Sequence, residues 1–198
     1  MKVLGQGSIA QILEVGLNIL WVILWVALGL MVFGSLTYAG AMALTAAGVL
    51  SPEMFEGARY KVNLGGSEVT FESDEGLAWQ VVAPALIGMA IGISGLLIII
   101  DRLRRLFASF RSAEPFRKEN ATHLRVIWVT MAVLELSRYA LLLLTGGLLA
   151  LFGQPPTLRG SLDMRVNVTA WIAIFVLIVL AEVFREGARL REEQDLTI

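Results

Sequence analysis

Residues 126–152 read "VIWVTMAVLELSRYALLLLTGGLLALF". A bilayer core about 30 Å thick is crossed by about 20 apolar residues in helical form. This run is long and apolar enough to be a crossing, yet it contains Glu135 and Arg138. If Arg125 marks its inner boundary, Glu135 lies about 15 Å deeper, near the midplane, and Arg138 about one turn further out. A charge there costs about 2.5–3.5 kcal/mol on the insertion scale. Spacing i, i+3 puts both on one helix face, where they can neutralise each other. The run therefore predicts a transmembrane helix with one face turned into a bundle.

Three other windows extend this reading. The first lies in 16–50, "GLNILWVILWVALGLMVFGSLTYAGAMALTAAGVL", with its crossing at about 16–40. The second is 77–100 and the fourth is about 168–184. The first run exceeds a signal-peptide core of about 7–15 residues, so a crossing is expected there. The chain has 198 residues, of which 57% are hydrophobic and 17% charged. The charged share is below the roughly 25% of soluble domains. The net charge of −1 gives no basic field for direct nucleic-acid binding. There is no Cys and one His, which removes disulfides, thiolate chemistry and the common metal sites. No catalytic residue, metal site or cofactor is expected.

Lys and Arg set the orientation. The 101–125 segment carries Arg102, Arg104, Arg105, Arg111, Arg117, Lys118 and Arg125, and the tail carries Arg185, Arg189 and Arg191. The 51–76 segment has only Arg59 and Lys61 among Glu53, Glu56, Glu68, Glu72, Asp74 and Glu75. Both termini and the 101–125 loop are expected in the cytoplasm, giving four helices, N-in and C-in, in a bacterial inner membrane. The chain has no native Cys, so single cysteines at Ser67 and Glu114 offer a clean test. An impermeant thiol reagent on intact cells should label position 67 only; the reverse pattern would invert the topology.

Trp21, Trp25, Trp79, Trp128 and Trp171 fall near predicted span ends and suit an interfacial aromatic belt. Span two carries Gly88 and Gly92 on one stripe with Ala85 and Gly95, which lets helices approach closely. Packing within the chain is the first expectation, and a homodimer through Gly88 and Gly92 is the alternative. Pro84 is expected to kink the outer part of that span.

Residues 59–72, "RYKVNLGGSEVTFE", alternate about a Gly65-Gly66 turn signal. Centring on that turn pairs Val62 with Val69 and Tyr60 with Phe71 on one face, and Arg59 with Glu72 and Asn63 with Glu68 on the other. A second alternating piece at 164–169, "MRVNVT", could add a third strand. The expected fold is thus an all-α four-helix transmembrane bundle with a small extracytoplasmic hairpin or three-strand β cap.

On the inner side, Leu103, Leu106, Phe107 and Phe110 recur at helical spacing beside arginines, forming a basic amphipathic helix. "AEP" at 113–115 breaks it, and "PFRKENATHLRVI" restarts a helix into span three. The tail, "LAEVFREGARLREEQDLTI", mixes both charge signs, and Glu182 with Arg185 repeats the i, i+3 arrangement. Together with the four-span layout, "DRLRRLFASFRSAEPF", "PFRKENATHLRVI" and "VFREGARLREEQDLTI" resemble the bacterial membrane family known as domain of unknown function twenty-nine seventy-five. Matching positions are Pro115, Phe116, Glu119, Asn120, Leu124 and Arg125 in the loop, and Phe184, Gly187, Leu190, Leu196 and Thr197 in the tail. Members of that family are commonly encoded beside a small Cro/repressor-like helix-turn-helix protein. The resemblance implies a membrane partner or controller of such a regulator, and it brings no catalytic residues.

Three functional readings follow. The first is a signalling or regulatory membrane protein that docks a helix-turn-helix regulator at its cytoplasmic face. The second is a small ion-coupled transporter or channel using the intramembrane Glu135/Arg138 pair; the wider intramembrane polar site of Glu135, Arg138, Glu182 and Arg185 would serve as a proton or ion relay or as the headgroup contact of a bound membrane lipid or quinone. The third, ranked below both, is an intramembrane lipid-modifying enzyme. The charged motifs sit mostly in the cytoplasmic segments, which favours a partner over a pore. The competing account of Glu135 and Arg138 is a structural pair that fixes helix register.

Overall fold

The computed structural model describes residues 9–51, 58–64, 67–73, 79–111, 118–152, 159–162 and 166–195. Four long helices dominate: α1 (Ile9–Ala46), α2 (Trp79–Arg111), α3 (Lys118–Phe152) and α4 (Val168–Asp195). All four are long and apolar enough to cross a membrane. Large apolar side chains such as Leu30, Phe33, Leu143 and Phe175 are each about two-thirds exposed. In water such surfaces would aggregate; against lipid tails they are matched, and the protein is a multi-pass membrane protein.

Helix α1 shows how sequence suits that solvent. Its hydroxyls are turned back on the backbone: Ser35 Oγ donates to the Met31 carbonyl and Thr45 Oγ1 to that of Ala41. Such bonds hide a polar group where no water is available. The helix ends where Gly48 takes a φ of 71°, a value that costs other L-residues about 1–2 kcal/mol. Gly48 N–H then donates to the Thr45 carbonyl and Val49 N–H to that of Leu44, the paired bonds of a Schellman cap.

Helix α3 carries the clearest packing seam. Asn120, Leu124, Ile127, Glu135, Arg138, Leu142, Thr145 and Leu149 are buried, in steps of three and four interrupted only where Met131 is half-buried. Helix α4 has its own seam through Ile174, Leu177, Ala181, Phe184 and Ala188. A repeat near 3.5 residues is the signature of knobs-into-holes packing in bundles.

By contacts the chain divides into two compact units: residues 1–27, 93–133 and 168–198 form one, and 28–92 with 134–167 the other. In the first, Leu106 of α2, Leu124 of α3 and Ala181 of α4 form a core, with Trp128, Leu177 and Phe184 packed against it. Asn120 Nδ2 donates to Ser109 Oγ at 2.8 Å, tying α3 to α2. In the second, Val81, Leu141, Leu142 and Leu149 are buried, and Trp79 meets Phe152 edge-on at 5.3 Å.

The expectation of a β cap as part of the fold is corrected. Where side chains are described, regular structure is helix alone and every core residue lies on a helix; the fold is an all-α four-helix bundle. Backbone pairing runs antiparallel between β1 (Ala58–Leu64) and β2 (Ser67–Ser73), with Tyr60 opposite Phe71, and between β2 and β3 (Arg159–Leu162). None of the described side chains belongs to these strands of seven, seven and four residues, so the ladder is not placed as a layer closing the bundle. Nor does 164–169 form the third strand: Val168 already opens α4. A short stretch of alternation loses to the longer apolar run that follows it.

Pro84 lies buried inside α2, which runs on past it. Along the small-residue stripe Gly95 is buried and Ala85, Gly88 and Gly92 are half-buried, and a Cβ placed on Gly92 meets nothing within 4 Å.

Candidate functional site

Glu135 and Arg138 form a buried pair on α3, with relative exposures of 9% and 7%. Arg138 Nε donates to Glu135 Oε2 at 2.9 Å, and a second guanidinium nitrogen reaches the same oxygen at 2.9 Å. The guanidinium also lies 4.5 Å from the Tyr139 ring centre. The helix itself creates this pairing, since residues three apart share a face. Burial makes it matter, because an unpaired charge in a low-dielectric interior costs several kcal/mol. Chemically, the pair is a neutral dipole rather than a lone ionisable group.

Glu182 and Arg185 have the same spacing and are also paired, but they are exposed on α4. They belong to the compact unit that holds the Leu106, Leu124 and Ala181 core. They line an open groove of about 740 Å³ between the start of α3 and the end of α4. Lys118 Nζ bridges that groove to Glu192 Oε1 at 2.7 Å, and Arg189 pairs with Glu186 at 2.6 Å. Arg125 is exposed on the α3 wall and makes no ion pair among the described residues. Farther along, the walls turn apolar at Trp128, Ile178 and Ala181.

The positions that carried the family resemblance divide by location. Asn120 and Leu124 are 1% and 2% exposed and hold helices together. Phe184 packs on the Leu106, Leu124 and Ala181 core, and Gly187, three residues further on, is half-buried. Glu119, Arg125 and Leu190 are exposed. Pro115, Phe116, Leu196 and Thr197 lie outside the described residues. The structure thus leaves Glu119, Arg125 and Leu190 accessible and takes Asn120 and Leu124 inward.

Sequence reasoning missed the groove as a unit. Thr122, Trp128, Ile178, Glu186 and Glu192 drew no attention as neighbours, since they come from two helices far apart in the chain. The only available signal was helical spacing: 118, 122 and 125 on one helix face, and 178, 182, 185 and 189 on another. Trp21, read as an anchor, also lies under the Arg104 guanidinium at 5.1 Å and meets Trp25 edge-on.

A family model described as protein of unknown function (DUF2975) matches residues 68–198. Neither a curated protein nor a solved structure matches the chain.

Proposed function

The chain belongs to the DUF2975 family, and on that premise we propose that it is a membrane-embedded regulatory protein whose cytoplasmic face holds a small helix-turn-helix transcription regulator. The observation that carries this reading is the length and charge of the helix ends. At about 1.5 Å per residue, α2 and α3 are each about 50 Å long and α4 about 42 Å, against a core of about 30 Å. The excess on each is marked by the segments 101–111, 118–125 and 185–195, where Lys, Arg, Asp and Glu concentrate. By the positive-inside rule that end faces the cytoplasm. It has its own packed core at Leu106, Leu124 and Ala181, which makes it a preorganised platform rather than a set of loose ends.

On that platform Leu190 is half exposed among charges on α4, with Leu196 and Ile198 following in sequence. An apolar anchor with a polar rim is what a docking surface presents. Binding there holds the regulator at the membrane and lowers its concentration at DNA. A shift of about 1.4 kcal/mol in that affinity changes the bound fraction's equilibrium constant tenfold. The protein performs no catalysis in this reading.

Deleting residues 191–198, or making Leu196→Asp, is expected to leave membrane insertion intact and to release the regulator to the cytosol, with altered transcription of its target. Co-purification of the regulator at wild-type yield with unchanged transcription would remove the tail from the docking surface and transfer the role to the 101–125 segment.

A further inference from the structure

The groove between the start of α3 and the end of α4 is ordered along its length like a phospholipid. From Glu192 to Ile178 it follows α4 for about 21 Å. Its charged end carries the three ion pairs described above, which cancel one another, and Arg125, which is left over. Among the residues that line the groove four are basic and three acidic, which leaves one net positive charge on the exposed wall of α3; Glu193, beside the lining, also reaches Arg189 at 3.6 Å. The amino end of α3, at Lys118, adds the partial positive charge of a long helix. One turn beyond Arg125, Trp128 begins the apolar stretch, with Ile178 exposed across from it. Tryptophan is the side chain that prefers the headgroup boundary of a bilayer.

We propose that this groove binds an anionic membrane phospholipid, with its phosphodiester on Arg125 and the upper part of an acyl chain against Trp128 and Ile178. A guanidinium offers two parallel N–H donors to phosphate oxygens, which no acid in the groove already occupies at Arg125. A zwitterionic lipid brings its own cation to the charged end and loses the net attraction. An acidic peptide would satisfy Arg125 but leave Trp128 and Ile178 without a hydrocarbon partner. This inference goes beyond the regulator reading and does not depend on it, since the membrane supplies the ligand.

The test uses the full-length protein purified in mild detergent and exchanged with phosphatidylglycerol or phosphatidylcholine, with bound lipid read by native mass spectrometry. Preferential retention of phosphatidylglycerol is expected. Arg125→Gln should lower that retention about tenfold, the loss of one well-placed charged contact, while Arg125→Lys, which keeps the charge but not the paired donors, should fall between that variant and the wild type. Arg125 is exposed, so an unchanged unfolding temperature in both variants is expected and separates binding from folding. Equal retention of the two lipids overturns the proposal, as does Arg125→Gln at wild-type retention. Complete displacement of phosphatidylglycerol by excess inorganic phosphate also overturns it, by reducing the groove to a free-anion site. So does a peptide found in the groove in place of lipid.

Discussion

Glu135→Ala and Arg138→Ala should each destabilise the protein by about 3–5 kcal/mol, and the double substitution should cost clearly less than their sum. Each single change leaves one charge buried without its partner, and that penalty, rather than the lost bond, dominates. Removing both leaves two alanines and no unpaired charge at these positions. The pair is 2.9 Å apart and less than a tenth exposed on both sides, so neither group can recover solvation by a small rotation. Long arginines near span ends can reach water; Arg138 is instead held inside, facing Glu135. Unfolding of the two singles and the double in detergent, by heat or denaturant, gives the coupling energy directly. Additive losses would show separate partners for the two groups and would reopen a relay role for either one.

Leu124→Ala should cost about 2–5 kcal/mol, whereas Leu143→Ala should be near neutral. Both remove the same atoms. Leu124 is 2% exposed and packs with Leu106 and Ala181; Leu143 is 65% exposed. The first change opens a cavity among three helices, and its cost grows with the volume that fails to collapse. The second replaces contacts with lipid or detergent by contacts with more lipid or detergent. Unfolding in the same detergent compares the two without a change of solvent. Equal effects would mean that the seam of α3 is not where the folded state gains its packing, and would undo the assignment of Leu124 to the core.

The hidden side of a membrane helix is hard to read from sequence for a definite reason. In water, a helix shows its buried face by being apolar there and polar elsewhere. In lipid, both faces are apolar, so Leu124 and Leu143 look alike on the page. Only polar residues break the symmetry, because lipid leaves them no partner. Asn120, Glu135, Arg138 and Thr145 all lie on the buried seam of α3, and they were its only legible markers. Even this cue has limits. The polarity of Asn120 marks the seam but not Ser109, to which it donates.

Helix number, approximate span positions and the Glu135–Arg138 contact were determined by sequence alone. Length against bilayer thickness sets the first two, and the 3.6-residue turn sets the third, since neighbours three apart meet in any helix. Tertiary structure alone decided that Glu182–Arg185, with the same spacing as the buried Glu135–Arg138 pair, is exposed. It also decided that Lys118 reaches Glu192 and that Arg125 is left over beside Trp128. Local spacing fixes contacts within one helix. Which face meets another helix depends on packing between segments far apart in sequence, and that packing determines whether the same two charges form a sealed dipole or one wall of an open groove.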